Sequence, residues 1–393
     1  MARSRTVVIA GGGIGGLTAA LALARKGFRV VVAEQAERLE ETGAGIQLSP
    51  NATRVLHGLG LTERLRSVVV APKAVHIRTW RGRELAEVPL GSFSESRYGA
   101  PYWVARRADL QAALVEAVAA NSDITLRLHT RVEEHAVHAN GVTVQLRTAA
   151  GSDDEHGIAL IAADGLWSAT RKQLGDRSSP RFAHHTAWRA VLPTRPLVAE
   201  FRDRVVSLWL GPNAHLVLYP VHGGAALNVV AIVRDVWQRP GWSAAGTREE
   251  LLAHYGGWPP RVHNLLALPD RWLKWALYDR PRLRGWGQGP VTLLGDAAHP
   301  MLPFLAQGAA MAIEDAHVLA EELSRLPDQP DRALRRYERA RERRTARVQC
   351  AARANGRTYH LKGPGALARN WVLHARGGKS LLKRYDWLYG WRP

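Results

Sequence analysis

The stretch Thr6-Val-Val-Ile-Ala-Gly-Gly-Gly-Ile-Gly-Gly-Leu-Thr-Ala-Ala-Leu-Ala-Leu-Ala-Arg-Lys-Gly-Phe-Arg-Val-Val-Val-Ala-Glu34 decides the fold. It opens with a β-branched run suited to a buried parallel strand. It then turns through Gly11-x-Gly13-x-x-Gly16, continues as an Ala/Leu-rich helix that stops at Gly27, and returns as an apolar strand ending on Glu34. Each part of this β-α-β unit has a physical cause. Gly11 permits the tight turn, Gly13 lets a pyrophosphate approach the backbone, and Gly16 lets helix pack on strand. The helix N-terminus offers free N–H groups and a partial positive charge to the phosphates. Glu34, eighteen residues past Gly16, can accept both hydroxyls of an adenosine ribose and disfavours a 2′-phosphate there. The unit predicts dinucleotide binding without choosing between NAD and FAD; its plain alternative is a glycine turn beside a surface glutamate.

The rest of the chain bounds that reading. Its 393 residues exceed the roughly 250–300 at which one hydrophobic core stops growing, so two domains or one large composite are expected. With 46% apolar and 23% charged residues the composition is globular and excludes disorder over most of the length. The single cysteine, Cys350, excludes an intramolecular disulfide scaffold and a cysteine-built metal cluster; the sixteen histidines leave a His/carboxylate metal site possible, but no HExxH pair appears and no metal is expected. No run of about 18 apolar residues suggests a membrane span. Met1 to Ala10 resembles the start of a signal peptide, but the run breaks into six residues dominated by glycine, which points to a cytoplasmic protein. The balance of 54 basic to 35 acidic residues, net +19, suits acidic small molecules, nucleic acid or an anionic surface.

Further elements follow from the pattern. Ile124–Val132 and Val142–Leu146 read as a strand pair, and 158–163 as an apolar strand running into Asp164-Gly165. Runs at 205–210, 215–219 and 226–233, about ten residues apart, read as an antiparallel sheet. Residues 291–296 return to parallel-strand character, and a helix follows over 308–323. Gly295-Asp296 ends that strand where a carboxylate can bond the hydroxyls of a ribityl chain. Pro300-Met-Leu-Pro-Phe-Leu-Ala-Gln307-Gly308 leads into a helix whose N-terminus can face a flavin ring. Asp164-Gly-Leu-Trp-Ser168-Ala-Thr-Arg171 is a second strand-to-loop turn, with an acid, a hydroxyl and a guanidinium. Taken singly, Asp296 also reads as a helix cap and Asp164 as a turn residue.

Together and in this order, the glycine fingerprint, the DGxxSxxR pattern at 164–171 and GDAAHPMLPFLAQGAAMAIEDA at 295–316 resemble the class A flavoprotein aromatic hydroxylases. GAGIQLSPN at 43–51 and HLVLYPV at 215–221 are similar to the branch containing salicylate hydroxylase, 3-hydroxybenzoate 6-hydroxylase and 6-hydroxynicotinate 3-monooxygenase. The resemblance implies an α/β fold like that of p-hydroxybenzoate hydroxylase, with a Rossmann-like FAD-binding domain, an inserted antiparallel-sheet substrate domain and a helical C-terminal region. We assign 1–75, 100–180 and 282–325 to the first, 76–99 and 181–281 to the second, and 326–393 to the third. The resemblance also implies that Gly11, Gly13, Ile14, Gly15 and Glu34 surround the FAD adenosine and pyrophosphate, that Arg107 contacts FAD and that Val132 gives a main-chain contact near the adenine. It makes Asp296 the ribityl-binding acid and links Asp164 and Arg171 to both FAD and the pyridine nucleotide. No second dinucleotide fold is evident, so NADH or NADPH should visit transiently as co-substrate.

The implied reaction is hydroxylation of a phenolic, carboxylated aromatic ring or a hydroxypyridine, using NAD(P)H and O2 through a flavin C4a-hydroperoxide shielded from water. A phenol has a pKa of about 10, so a base that takes its proton raises ring nucleophilicity at neutral pH. His215 is the candidate base, with Tyr219 on the same strand face because four is an even offset. Gln307 is expected near flavin and substrate; Gln47 stands where one relative has histidine, and Pro300 and Pro303 shape the loop. The rivals are a flavin monooxygenase of larger natural products, a flavin halogenase, whose Trp-x-Trp-x-Ile-Pro segment is missing, and a polyanion-binding protein on a degenerate nucleotide fold. Residues 325–393 hold 18 basic and 5 acidic residues, but no nucleic-acid motif, so a solvated helix face is preferred over a nucleic-acid arm. A monomer or homodimer is expected.

Overall fold

The β-branched run at the start becomes the middle of a six-stranded sheet in the computed structural model, which describes residues 5–39, 45–195, 197–239 and 241–392. Residues 1–4 of the signal-like start, and Gly43 and Ala44 of the 43–51 motif, lie outside the described residues. The sheet order is Gly287–Gln288, Val291–Leu293, Ala159–Ala162, Thr6–Ala10, Arg29–Ala33, Ile124–Arg127, all parallel except the first. Thr6–Ala10 is buried along its whole length because both faces are covered. Val7 and Ile9 join the core shared with helices Ile14–Ala24 and Gly308–Arg325. Val8 and Ala10 point the other way, onto Val142, Val144 and Leu146.

Those last residues belong to a three-stranded antiparallel sheet, Arg131–His138, Gly141–Thr148 and Gly151–Gly157. The expected pairing of 124–132 with 142–146 is therefore corrected. The chain turns at 128–130, where His129 adopts φ +50° and Thr130 N–H bonds the Glu34 carbonyl at 2.8 Å. Ile124–Arg127 stays with the parallel sheet, and only the segment after the turn pairs with Gly141–Thr148. A single apolar run thus supplies two sheets.

The second large sheet has eight strands, in the order Ser243–Thr247, Arg271–Asp279, Arg181–Pro193, Ala226–Arg234, Ala214–Val221, Val206–Gly211, Ala74–Thr79, Glu84–Pro89. Its outer face buries Trp188, Trp209 and Trp272 with Leu216, Leu218 and Val229 under the short helices Arg248–Ala253 and Pro260–Leu266. Its inner face looks toward the first sheet. Helix Pro330–Tyr359 and the kinked helix Gly363–Lys383 follow. Several of the C-terminal arginines turn inward: Arg341 is 1% exposed against Glu314 and Asp315, Arg344 pairs with Glu314, and Arg353 with Asp279. The basic tail is thus partly an internal ion-pair system rather than wholly a solvated face.

Candidate active site

Between the two large sheets lies a cavity of about 640 Å³, within the range of about 300–1,000 Å³ usual for cofactor and small-ligand sites. One side is built by the glycine turn. Gly11 adopts φ +105°, and a Cβ there would fall 2.5 Å from the Ala163 carbonyl oxygen. A Cβ on Gly16 would fall 2.0 Å from the Gly11 carbonyl. These two positions close the turn against strand and helix, whereas a Cβ on Gly13 would meet nothing within 4 Å, so backbone faces open space there. Gly13, Ile14, Gly15 and Arg107 line the cavity. Glu34 does not line it, but its carboxylate accepts the Gly12 N–H at 2.6 Å and the Ala36 N–H at 2.8 Å, which fixes it beside the turn. Val132 lies further out, packed on the small antiparallel sheet.

Asp296 sits at the end of the strand Val291–Leu293, in a turn opened by Gly295 at φ +63°. Protein surrounds it, yet its side chain is open to the cavity, and it makes no hydrogen bond or ion pair among the described residues. Burial raises its pKa despite the positive charges of His299 and Arg107. The start of helix Gly308–Arg325 lies next to it, since a Cβ on Gly308 would be 3.9 Å from Asp296 Oδ1. The turn is braced from behind. Buried Arg171 donates to the carbonyls of Ala297 and Ala298 at 3.0 and 3.1 Å, and Asp315 accepts the Gly295 N–H at 3.1 Å. Arg171 therefore supports the Asp296 turn rather than lining the cavity. Asp164 is likewise outside the lining; Oδ2 accepts from Thr170, and Oδ1 is buried without a partner among the described residues.

The opposite wall is the inner face of the eight-stranded sheet. His215, Val217 and Tyr219 face the cavity from Ala214–Val221, while Leu216 and Leu218 face the outer core, as the period of two requires. Neighbouring strands add Leu208, Val230 and Ile232, so the wall is apolar apart from a few groups. Tyr219 is buried, its phenol pushed up by desolvation, and its hydroxyl has no partner among the described residues. A Cβ on Gly45 would lie 2.6 Å from Tyr219 Oη and 2.5 Å from Asn228 Cγ, so that edge of the site needs glycine. His215 Nδ1 lies 2.7 Å from His360 Nε2, and His215 Nε2 has no partner among the described residues. Burial, then the neighbouring His360 and His185, hold the His215 pKa well below the ordinary value.

Gln307 also lines the cavity, but its amide is held by others: Nε2 donates to Ser49 Oγ at 2.8 Å and Oε1 accepts from Asn51 at 3.2 Å. Asn51 in turn donates to Glu314 at 2.6 Å. Gln47 lines the cavity with Oε1 bonded to Tyr102 Oη at 2.7 Å. Sequence reasoning missed Tyr102, Asn51, the Glu314–Asp315 pair, Arg341 and the histidine partners of His215. The acidic pair inside the otherwise apolar run Met311-Ala-Ile-Glu-Asp-Ala316 was a visible signal; His360 carries none, because it comes from a distant helix end.

These features suit FAD. The glycine turn leaves backbone open at Gly13, Arg107 lines the cavity, and Asp296, without a hydrogen bond among the described residues, turns a carboxylate to the same space. A family model described as FAD binding domain matches residues 4–352. The 3-hydroxybenzoate 6-hydroxylase 1 of Aquipseudomonas alcaligenes is 39% identical over 386 residues, covering 98% of this chain and 97% of that protein. The 3-amino-4-hydroxybenzoate 2-monooxygenase PtnB3 of Streptomyces platensis is 42% identical over 393 residues, covering 99% and 96%. Among solved structures, a salicylate hydroxylase substrate complex superposes with TM-score 0.83 at 26% identity over 100% of this chain and 97% of that one. The Klebsiella pneumoniae HpxO complex with FAD and uric acid gives 0.86 at 25%, over 99% and 97%. The p-hydroxybenzoate hydroxylase-like fold is thereby established, and the chain belongs to the FAD binding domain family as an FAD-dependent aromatic-ring monooxygenase with NAD(P)H as co-substrate.

Proposed function

We propose that the chain hydroxylates a phenolic, carboxylated benzene ring, with His215 as the base that takes the phenolic proton. The observation that carries this reading is the placement of His215 Nε2 and Tyr219 Oη, both without partners among the described residues, on one face of an apolar strand across the cavity from Asp296. When bound, FAD supplies the reducing equivalents drawn from NAD(P)H and the oxygen-transfer chemistry. The chain's own residues do the rest. Gly13, Ile14, Gly15, Arg107 and Glu34 hold the adenosine and pyrophosphate, and Asp296 the ribityl hydroxyls. The apolar wall of Leu208, Val217, Val230 and Ile232 packs the ring and excludes water. His215 is neutral at pH 7, so its lone pair can accept the proton and raise electron density on the ring. Tyr219 orients the ring oxygen. Arg189, stacked over Trp275 at 4.1 Å, and Arg107 set positive charge along the cavity, which suits a carboxylate. Gln307 and Gln47, tethered as described, fix the rim. We place the protein in the cytoplasm, as a monomer or homodimer; among the described residues no helix is long and apolar enough to cross a membrane.

A panel of hydroxybenzoates and aminohydroxybenzoates, followed by loss of nicotinamide absorbance and by product analysis, tests the substrate class; absence of stimulation and product across the panel would sink it. For the base, His215→Asn should retain FAD while hydroxylation falls by about a hundredfold or more, with turnover diverted to hydrogen peroxide. Unchanged coupling in that variant would remove His215 from the role.

A further inference from the structure

We propose that His215, His360 and His185 form a proton relay of neutral imidazoles that carries the phenolic proton from the cavity toward the protein surface. This inference rests on the base assignment just given and extends it to two residues on other elements.

The geometry sets the direction of every hydrogen. His185 Nδ1 lies 2.6 Å from the Ala183 carbonyl oxygen, which can only accept, so this nitrogen carries the hydrogen. In a neutral ring Nε2 is then the acceptor, and it lies 3.0 Å from His360 Nδ1, which must donate. His360 Nε2 is left as an acceptor 2.7 Å from His215 Nδ1, which must donate in turn. The lone pair of the whole chain therefore emerges at His215 Nε2, the nitrogen left open to the cavity. One backbone carbonyl thus selects the tautomer that the base needs.

The fold creates that carbonyl's freedom. Strand Arg181–Pro193 slips register against Arg271–Asp279 between Phe182 and Thr186, with His184 at φ +55°. Ala183, His184 and His185 have no partner in Arg271–Asp279, though His185 pairs with Arg234 on the other side, and the Ala183 carbonyl turns to the His185 ring. Phe304 packs against all three imidazoles, with centroids 5.6, 5.7 and 6.0 Å away, and Gly356 leaves the space it occupies. Tyr359 packs edge-on against His215 at 5.4 Å, and Tyr255 Oη donates to the His215 carbonyl at 2.9 Å. Among the described residues no carboxylate pairs with any of the three rings. The charged side chains that face them are guanidinium groups, Arg369 toward His360 and Arg234 toward His185. Burial is the first cause that lowers all three pKa values, His360 to about 3; His360 and His185 add to it at His215, His185 and Arg369 at His360, and Arg234 at His185, where the Ala183 hydrogen bond works the other way. The rings are neutral at pH 7, as a tautomer relay requires.

The transfer balances without any redox change. The phenol O–H breaks as H–Nε2 of His215 forms. His215 Nδ1–H passes to His360 Nε2, and His360 Nδ1–H passes to His185 Nε2. His185, the outer and partly exposed member, is left as an imidazolium that has gained a hydrogen at Nε2 and keeps Nδ1–H on the Ala183 carbonyl, and this ring gives up the extra proton to solvent. After oxygen transfer the same steps in reverse return a proton to the product phenolate and restore the starting tautomers. His360 and His185 act through His215 and are positioning residues.

The test uses the FAD-loaded protein with selectively ¹⁵N-labelled histidine. At pH 7.5 the three ring signals should report Nδ1–H tautomers, and His185→Phe should abolish that bias at His360 and His215. A Nε2–H tautomer at His215 in the unmodified protein would overturn the relay. The second arm is a stopped-flow pH jump with bound 3-hydroxybenzoate, which reads the rate of phenolate formation. His360→Phe and His185→Phe should slow it by about tenfold or more, and concentrated imidazole buffer should restore part of the rate. The more conservative His360→Gln, which keeps a hydrogen-bonding amide but cannot exchange tautomers, should be equally slow. If His215→Asn suppresses phenolate formation while the other variants match the wild-type rate, the relay fails and the base assignment survives. If His215→Asn leaves phenolate formation intact, both fall.

Discussion

Arg341→Met is the substitution whose cost is most directly readable from the structure. The guanidinium is 1% exposed; Nη1 lies 2.6 Å from Glu314 and Nε 2.6 Å from Asp315, both of which are fully buried. Removing one partner from such a buried cluster costs about 3–5 kcal/mol, because charge is left uncompensated. Here the lower end applies, since Glu314 keeps Arg344 and Asn51, and Asp315 keeps His299 and the Gly295 N–H. A loss of about 3 kcal/mol, at a urea slope of about 3 kcal/mol per molar, moves the unfolding midpoint down by about 1 M. The assay is equilibrium unfolding of the FAD-loaded protein followed by flavin fluorescence and far-UV dichroism. Because Asp315 also anchors the turn that carries Asp296, the flavin signal should be lost before the helical one. The companion variant Asp315→Asn, in the Arg341→Met background, removes the carboxylate that loses its guanidinium while Glu314 keeps Arg344, and should recover part of the loss. A midpoint within 0.3 M of wild type for Arg341→Met (about 1 kcal/mol on that slope), or no recovery in the double variant, would refute the view that this cluster is a compensated buried charge system.

Two other perturbations follow from the site. Gly45→Ala drives a methyl into Tyr219 Oη and Asn228, so overpacking should cost about 1–3 kcal/mol in thermal unfolding and weaken hydroxybenzoate binding in a fluorescence titration; an unchanged dissociation constant would place Tyr219 outside the ligand contact. Acid should destabilise the protein through the histidine chain. Their folded pKa values lie below the unfolded value of about 6.5, so the unfolded state binds more protons; stability is full above pH 6.5 and falls as pH drops toward the folded values, by up to about 1.4 kcal/mol per pH unit for each ring. Unfolding measured from pH 7 to 5 should show a shallower decline in His360→Phe than in the wild type, and parallel curves would contradict the buried neutral state.

Legibility differed from one part of the molecule to another for physical reasons. The glycine turn, its strands and Glu34 were readable because the causes are local: tight turn, close backbone approach and helix packing all act within thirty residues. The strand runs at 205–210, 215–219 and 226–233 were readable from alternation and turn residues, and appear as Val206–Gly211, Ala214–Val221 and Ala226–Arg234. The boundary at 128–130 was not, because a turn made by His129 at φ +50° has no glycine or proline to announce it. The roles of Arg171 and Gln307 were blurred for a different reason. Sequence shows which polar group is near a site, but not whether its hydrogen bonds are already committed. Arg171 is satisfied by carbonyls behind the Asp296 turn, and Gln307 by Ser49 and Asn51. The His215–His360–His185 chain joins residues 145 and 175 positions apart, and no periodicity reports a contact of that range.

The two walls of the cavity are built by different kinds of interaction, and this bears on what each can conserve or vary. The wall toward the six-stranded sheet is mostly backbone: Gly13 exposes main chain, Gly11 and Gly16 admit no Cβ, and the Asp296 turn is fixed by carbonyls and an N–H. A side-chain change there disturbs the turn itself, so the cofactor side is rigidly specified. The opposing wall is mostly side chain, with Leu208, Val217, Val230 and Ile232 projecting from a ladder whose hydrogen bonds do not depend on them. Volume-conserving exchanges on that face reshape the space around the ring at small cost in stability. His215, the proposed base, sits on the variable wall, and in the proposed relay it takes its tautomer from the Ala183 carbonyl in another strand, so ring-facing residues could change without releasing the lone pair at His215 Nε2. Proteins with this arrangement can alter which ring fits while keeping both the cofactor grip and the proton acceptor in place.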